Sequence, residues 1–450
     1  MKKTNTHEHP QNNLPLPHMY HPSHDLSGVH WITVEQALEM VLSHADVLDS
    51  ELKPIDSALG QTLAEHVLSP INIPPMANTA MDGYAVRWAD VVGASLKSPR
   101  SLKVSGLLVA GGRPDKSVLP GASIRIMTGA PIPPGADTII PFEDTDEESR
   151  KVKGKQIKEI SILKVFAKGA CVRPAGEDIS AGQKVLSKGT VLSAADIGVL
   201  ASVGKSTVRV VRRPSVAIIS TGDELVEPGT KLGVSQIYNS NSHAIAAAVR
   251  LAGGEPVILG IARDNAVSLN QKVDQALKCD MLLTSAGVSH GDYDIVQDTL
   301  NRRGKVDLYS VRMRPAKPMA LGVLKRGGKS AGLLHLGLPG NPVSSLVAFE
   351  QFGRPALLKM QGKQPAPRPT VEAILDNDIT NHDKRRVFAR VTVYKKNGQY
   401  RAKLTGSQGS NLLTSVARAN GLAVCPEDVS VLKAGQTATV QMISWNEEVF

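Results

Sequence analysis

Residues 214–360 alternate between short buried-strand patterns and helical ones, and this rhythm limits the fold more than any other feature of the chain. SVAIIS (215–220) has the unbroken aliphatic run of a strand covered on both faces. Ser242 is then read as the cap of a helix, HAIAAAVRLAGG, which its glycines end. PVILG and the helical AVSLNQKVDQALKC follow, then the strand DMLLTS and the helix DIVQDTLNRRG. Alternation of this kind builds a three-layer domain around a parallel sheet with right-handed crossovers. Such sheets bind ligands in the crevice beyond the carboxyl ends of their strands.

A chain of 450 residues is too long for one compact core and should hold two to four domains, at about 100–200 residues each. Residues 1–30 carry six of the twelve histidines and four prolines with almost no hydrophobic periodicity, so a disordered tail is expected. Its histidine spacing fits no ordered metal site. Order begins at WITVEQALEMVLSH (31–44), where Thr33 and Gln36 make a capping box ahead of apolar residues at helical spacing. From 45 to 213 the pattern turns to short β-like runs broken by Gly and Pro, such as SLKVSGLLVAGG and GQKVLSKGTVLS. Two β-rich lobes are therefore expected over 31–213. QGKQPAPRPT (361–370) reads as a linker, and RVFARVTVY with TATVQMIS supplies strands for a small β-barrel within 361–450. The fold class is thus multidomain α/β plus β, with the α/β domain over 214–360.

Composition removes several functions. Aromatic residues are only 4% of the chain, so cores must be aliphatic and base-stacking platforms are not expected. The net charge of +10 suits an anionic partner. Yet its densest basic clusters, RVVRRP (209–214) and DKRRVF (383–388), lack interleaved aromatics and read as solvated surface rather than a nucleic-acid interface. Cys171, Cys279 and Cys425 lie far apart without a CxxC, which argues against a zinc knuckle or disulfide framework and for a reducing compartment. No apolar run approaches the ~18 residues that span a bilayer. A cytoplasmic protein with no membrane and no nucleic-acid partner is expected.

Chemistry is concentrated in the strand-end loops. AGVSHGDYD (286–294) follows a strand and opens a helix, where backbone N–H groups and the helix dipole hold phosphate. Gly287 and Gly291 allow close approach of the main chain, whereas Asp292 and Asp294 would repel a bare phosphate unless a divalent cation or proton mediates. AIISTGDEL (217–225) repeats the arrangement with Ser220, Thr221 and Gly222 ahead of Asp223 and Glu224, and IYNSNS (237–242) adds a third polar loop. Small residues and acids converging from several strand ends favour a phosphate-and-Mg²⁺ site over a set of ordinary turns. No GxGxxG and no P-loop motif is present here. RMRPAKP (312–318) places Arg314 and Lys317 near another strand end, and GLPGNPVSSLVAFE (337–350) makes a tight turn into a helix.

Eight motifs stand in order along the chain: TAMDGYAVR (79–87), IRIMTGAP (124–131), RPAGEDI (173–179), STGDEL (220–225), TSAGVSHGDYD (284–294), PAKP (315–318), LPGNPVS (338–344) and GSQGSNLLTS (406–415). Together they resemble the molybdopterin molybdenumtransferase family, whose eukaryotic relatives include the C-terminal domain of gephyrin. The resemblance covers about residues 31–450. It implies insertion of molybdate into adenylylated molybdopterin with release of AMP, dependence on Mg²⁺, and an elongated homodimer. By motif it carries catalytic roles to Asp82, Thr128, Asp178, Glu224, Asp294 and Lys317, with Glu224 and Asp294 as metal ligands. Ser220, Thr221, Gly222, Ser285, Gly287, Ser289 and Arg314 would bind substrate, Pro339 and Pro342 would shape the pocket, and Arg390 and Ser410 would contribute from the last domain. Two departures from the family pattern are Ala286 in place of the middle residue of Ser-Gly-Gly, and Arg314-Pro315-Ala316-Lys317-Pro318 in place of Lys-Pro-Gly-Lys-Pro. Two further functions are open to a chain with such a central domain. One is the adenylyltransferase that makes the substrate, itself a possible partner, and the other is a gephyrin-like scaffold.

Overall fold

The computed structural model describes residues 31–151, 156–286, 293–327 and 332–445, with backbone alone at 293–295. The expected tail therefore lies outside the described residues. The central sheet is built from β1 (Trp31–Ile32), β2 (Ser215–Thr221), β3 (Glu255–Ala262), β4 (Met281–Ser285), β5 (Gly304–Val311), β6 (Pro318–Leu324) and β7 (Leu333–Leu338), in the spatial order β1-β5-β6-β7-β4-β2-β3. The expected parallel pairing holds between β7, β4, β2 and β3. It fails at β6, which runs antiparallel to both β5 and β7, so the sheet is mixed. The reason is local: only the short loop 312–317 joins β5 to β6, and a parallel return needs a crossover of a dozen residues or more.

Side-chain alternation along β2 sets up the three layers. Val216 and Ile218 point into a core shared with α1 (Val34–Ser43), α2 (Ser240–Leu251) and α5 (Pro342–Ala348). Ala217 and Ile219 point into the opposite core, with α3 (Ala266–Ala276) and α4 (Tyr293–Asn301). All four are fully buried, and each fully buried Val or Ile side chain contributes roughly 1.5–3 kcal/mol. Thr33 and Gln36 form the expected capping box on α1. The cap of α2 is Asn239 rather than Ser242: Asn239 Oδ1 accepts from the Ser242 N–H at 3.3 Å and from Ser220 Oγ at 2.9 Å. A bond to the neighbouring strand decides which of several capping residues in IYNSNS takes the position. The segment expected to open the N-terminal lobes instead completes this domain, since β1 pairs with β5 and α1 lies in the α/β core.

The remaining N-terminal region forms two β-rich lobes. In one, Ser50–Pro54 pairs antiparallel with Thr207–Val211 around a core that includes Leu63, Leu200, Val208 and Val210. It also contains a helix, Ala194–Ser202, whose Ser193–Asp196 capping box the reading of 45–213 as short strands passed over. The other lobe is a five-stranded sheet from Gly83–Val86, Arg100–Leu108, Ala122–Ile126, Thr138–Pro141 and Glu159–Ile162. It is joined to the first where Asn78–Thr79 pairs antiparallel with Val172–Arg173. At the C-terminus, Arg386–Lys396 pairs with both Gln399–Leu404 and Gly421–Cys425, and Thr370–Leu375 and Thr437–Met442 close the ring into a barrel. The two-residue strand Met313–Arg314 pairs with Arg386–Val387 and ties the barrel to the α/β domain.

Candidate functional site

The order of the central sheet reverses between β2 and β4: from β2 the chain passes to β3 on one side, then returns to β4 on the other. Strand carboxyl ends splay apart at such a point. A cleft of about 640 Å³ opens there, lined by Ser220 and Thr221 from β2, Ser285 from β4 with Ala286 just after it, and Pro339 and Gly340 beyond β7. The start of β6 brings Ala316, Lys317 and Pro318 to the same edge because that strand runs the opposite way. The first turns of α2 and α5 supply Asn241 and Pro342, and Asn411 arrives from the barrel domain. The 12-residue α2 directs its unpaired N–H groups and positive dipole end at this space.

Asparagine amides organise the cleft. Asn241 Nδ2 donates to Ser285 Oγ at 2.8 Å and to the Gly340 carbonyl at 2.7 Å, joining α2, β4 and the turn after β7. Ser220 Oγ lies 2.8 Å from Ser242 Oγ, and Asn239 Nδ2 donates to Glu227 Oε1 at 3.1 Å. Beneath them Thr284 Oγ1 sits 3.0 Å from His335 Nε2. Burial pushes His335 down to about 3, so its imidazole is neutral at physiological pH and links β4 to β7 without adding charge. Glu224 is exposed at the cleft. A Cβ on Gly222 would fall 2.3 Å from its Oε2, so this position must stay glycine for the carboxylate to occupy its place.

Of the expected site residues, Ser220, Thr221, Glu224, Ser285, Lys317, Pro339 and Pro342 line this one cleft, with Gly222 between two of them. Gly287, Ser289 and the Asp294 side chain lie outside the described residues. Asp82 and Thr128 come together elsewhere, on the five-stranded lobe: Asp82 Oδ1 accepts from the Thr128 N–H at 2.7 Å and from its hydroxyl at 2.8 Å. Those bonds, the backbone one first, hold the Asp82 carboxyl below the ordinary carboxylate range. Asp178 is exposed between the two lobes, its N–H donating to the Ile73 carbonyl at 3.0 Å. The nearby Arg173 guanidinium approaches Glu177, at 4.0 Å.

Arg314 does not line the cleft. Its guanidinium donates to the Thr380 carbonyl at 2.6 Å and approaches Asp383 at 3.7 Å, because pairing of Met313–Arg314 with the barrel turns it that way. Arg390 also stands back. It is 2% exposed, donates to the Gly409 carbonyl at 3.0 Å and to Ser415 Oγ at 3.2 Å, and has no carboxylate partner among the described residues. Burial pushes its guanidinium down to about 10. It thereby braces the GSQGSN loop, whose Ser410 carbonyl accepts from the Val343 N–H of α5 at 3.1 Å and whose Asn411 reaches the cleft. Sequence reasoning missed Asn239, Asn241 and Asn411. The signal available was the recurrence of asparagine in polar loops at strand ends.

Comparison with known proteins finds matches to three successive regions of the chain. Residues 32–204 match the model described as MoeA N-terminal region (domain I and II), residues 217–359 a probable molybdopterin binding domain, and residues 372–443 the MoeA C-terminal region (domain IV). A molybdopterin molybdenumtransferase of Nostoc sp. is 36% identical over 396 residues, covering 87% of this chain and 88% of that protein. Molybdopterin molybdenumtransferase 2 of Mycobacterium tuberculosis is 37% identical over 389 residues, covering 85% and 92%. The crystal structure of a molybdopterin biosynthesis moeA protein from Pyrococcus horikosii matches with a TM-score of 0.77 at 34% identity, covering 92% of this chain and 99% of that one. The chain belongs to the molybdopterin molybdenumtransferase family.

Proposed function

We infer that this protein is an enzyme of molybdenum cofactor biosynthesis, a molybdopterin molybdenumtransferase that inserts molybdate into adenylylated molybdopterin and releases AMP. The observation that carries the reading is the cleft at the sheet's switch point in a chain whose three regions all match the family. The adenylyltransferase alternative is not favoured, because the matches to the N-terminal and C-terminal regions extend well beyond the central domain.

The substrate is polyanionic and the second substrate is an oxyanion, so the cleft must bind negative charge while keeping it reactive. Lys317 supplies a full positive charge, the α2 N-terminus a partial one, Ser220, Thr221 and Ser285 supply polar groups on fixed strand ends, and Asn241 supplies one from the first turn of α2. Each hydrogen bond to a charged oxygen is worth roughly 1.5–3 kcal/mol. Pro339 and Pro342 keep the turn after β7 rigid on either side of Gly340 and Asn341.

The donor set also fits Mg²⁺, which takes one or two carboxylates and leaves the remaining positions to phosphate and water. Among the described residues no group of three or more metal-ligating side chains is assembled. Glu224 would hold the ion from the cleft together with Asp294, and the bound ion would offset the charge of a phosphoanhydride. Asp82 and Thr128 lie outside the cleft that holds Glu224 and Lys317. In this reading they reach it from the second subunit of a homodimer, and the adenylyltransferase that makes the substrate is a candidate partner. A cytoplasmic location belongs to the same reading, supported by three free cysteines; no helix among the described residues is long and apolar enough to cross a membrane. The test is AMP release from adenylylated molybdopterin with and without molybdate. Release that ignores molybdate, or none at all, would refute the assignment.

A further inference from the structure

Among the described residues lining the cleft, Lys317 is the one cation. Its ammonium forms no ion pair among the described residues and stands 5.5 Å from the centroid of the Trp31 ring. The sheet register explains the meeting. Trp31 pairs with Ser310 on β5, and Ser310 pairs with Pro318 on β6, so the three form one row across the sheet with Lys317 next to its end. The Val311 N–H donates to the Lys317 carbonyl at 2.8 Å and closes the intervening loop, while the Arg312 N–H donates to the Ile32 carbonyl at 2.9 Å and fixes β1 to its base. Trp31 belongs to none of the motifs that carry the family resemblance.

We propose that Trp31 is a positioning residue for the anion site: its indole face holds the Lys317 ammonium in place without neutralising it. The inference rests on the reading of the cleft as the substrate site. A carboxylate beside Lys317 would cancel the charge and compete with an incoming phosphate or molybdate oxygen. An aromatic face attracts the cation through its quadrupole, leaves the N–H donors free, and narrows the rotamers of a long side chain before substrate arrives. The ligand so recognised is an oxyanion, carried either by the adenylyl phosphate or by molybdate.

The experiment uses the full-length chain with Trp88 and Trp445 replaced by Phe, which leaves Trp31 as the sole indole. AMP and sodium molybdate are titrated separately, by tryptophan emission and by calorimetry. A saturable change in emission with at least one ligand is expected, absent in Lys317→Met, and the responding ligand identifies the source of the oxyanion. Trp31→Leu should weaken that ligand by about two- to fivefold, the size of a partly exposed cation–π contact. It should raise KM while leaving kcat, and Trp31→Phe, which keeps a π face, should restore most of the affinity. Equal affinity in Trp31→Leu and wild type overturns the inference and spares the cleft. So does a Phe variant as weak as the Leu variant, which would mark a purely structural role. Failure of wild type to bind either ligand removes the reading of the cleft itself and the inference with it.

Discussion

Asn241 donates to Ser285 across the cleft at 2.8 Å, and the second hydrogen of the same amide goes to the Gly340 carbonyl at 2.7 Å. One side chain therefore sets the spacing of a helix start and two strand ends. Asn241→Ala removes both bonds and lets the three loops drift. Displacements of about 1 Å at a reacting centre lower rates by around 10²-fold, so a loss of that order in AMP release is expected. The loss of stability should be about 1–3 kcal/mol, the cost of orphaning the buried Ser285 hydroxyl, since the other acceptor belongs to the exposed Gly340. Steady-state turnover and denaturant unfolding of the same variant separate the two effects.

The alanines at the two departures from the family pattern adopt left-handed backbone, Ala286 at φ +78° and Ala316 at φ +74°. Left-handed backbone costs an L-residue with a Cβ roughly 1–2 kcal/mol. Ala316 is 4% exposed and its methyl packs in the α/β core, which offsets part of the strain. Ala286 faces Gly340 across the cleft floor, where a Cβ on Gly340 would come within 3.2 Å of its own. Ala286→Gly should accordingly stabilise the protein by about 0.5–1 kcal/mol, while Ala316→Gly should be close to neutral. Parallel thermal melts decide, and a larger gain at Ala316 would contradict the account.

If Asp82 and Thr128 complete the site of a partner subunit, inactive variants should complement one another. A mixed dimer of one Asp82→Ala chain and one Glu224→Ala chain would gather both lesions in one site and leave the other intact. About half of wild-type activity should return, by the symmetry of a C₂ pair. Purified heterodimers as inactive as their parents would show that the lobe does not serve the cleft in this way.

Acid stability should depend on the junction between Asp280 and Arg212. Arg212 donates to Asp280 through both Nη atoms, at 2.6 and 2.7 Å, and to Asp49 at 2.6 Å. Burial alone would raise the Asp280 carboxyl, but the Arg212 and Ser215 hydrogen bonds override it and lower it below its ordinary 3.8. A lowered carboxyl stabilises the fold above its unfolded value and ceases to do so as pH falls through the folded one. Asp280→Asn should therefore lose roughly 1.5–3 kcal/mol at neutral pH and show a shallower decline below about pH 4. Chemical unfolding followed from pH 7 to pH 3 reads both.

Features written in local periodicity were legible in the sequence, and features made by distant partners were not. β2, β4 and the helices between them follow from aliphatic runs and helical spacing, and the described residues at the ends of those strands, Ser220 and Thr221 with Ser285 and Ala286, do meet in one cleft. The direction of β6 depends on a loop length whose meaning appears only once β5 and β7 are placed beside it. Arg314 carried the right charge for an anion site, yet the Thr380 carbonyl, far along the chain, claims it. Asn241 was visible within a polar loop, but nothing near it in sequence announces Ser285 and Gly340 as acceptors.

The rung that pairs Asn78–Thr79 with Val172–Arg173 is where the five-stranded lobe both leaves and rejoins its host, with Ile73 and Ile179 bridged just below. Adjacent antiparallel partners sit only about 5 Å apart, so the two ends of the excursion nearly touch. The lobe is in that sense a cassette, inserted at a single point. It can be enlarged, trimmed or exchanged without changing where the host chain resumes. Any swing of the lobe must also pass through this narrow neck, beside Asp178, before it can move anything else.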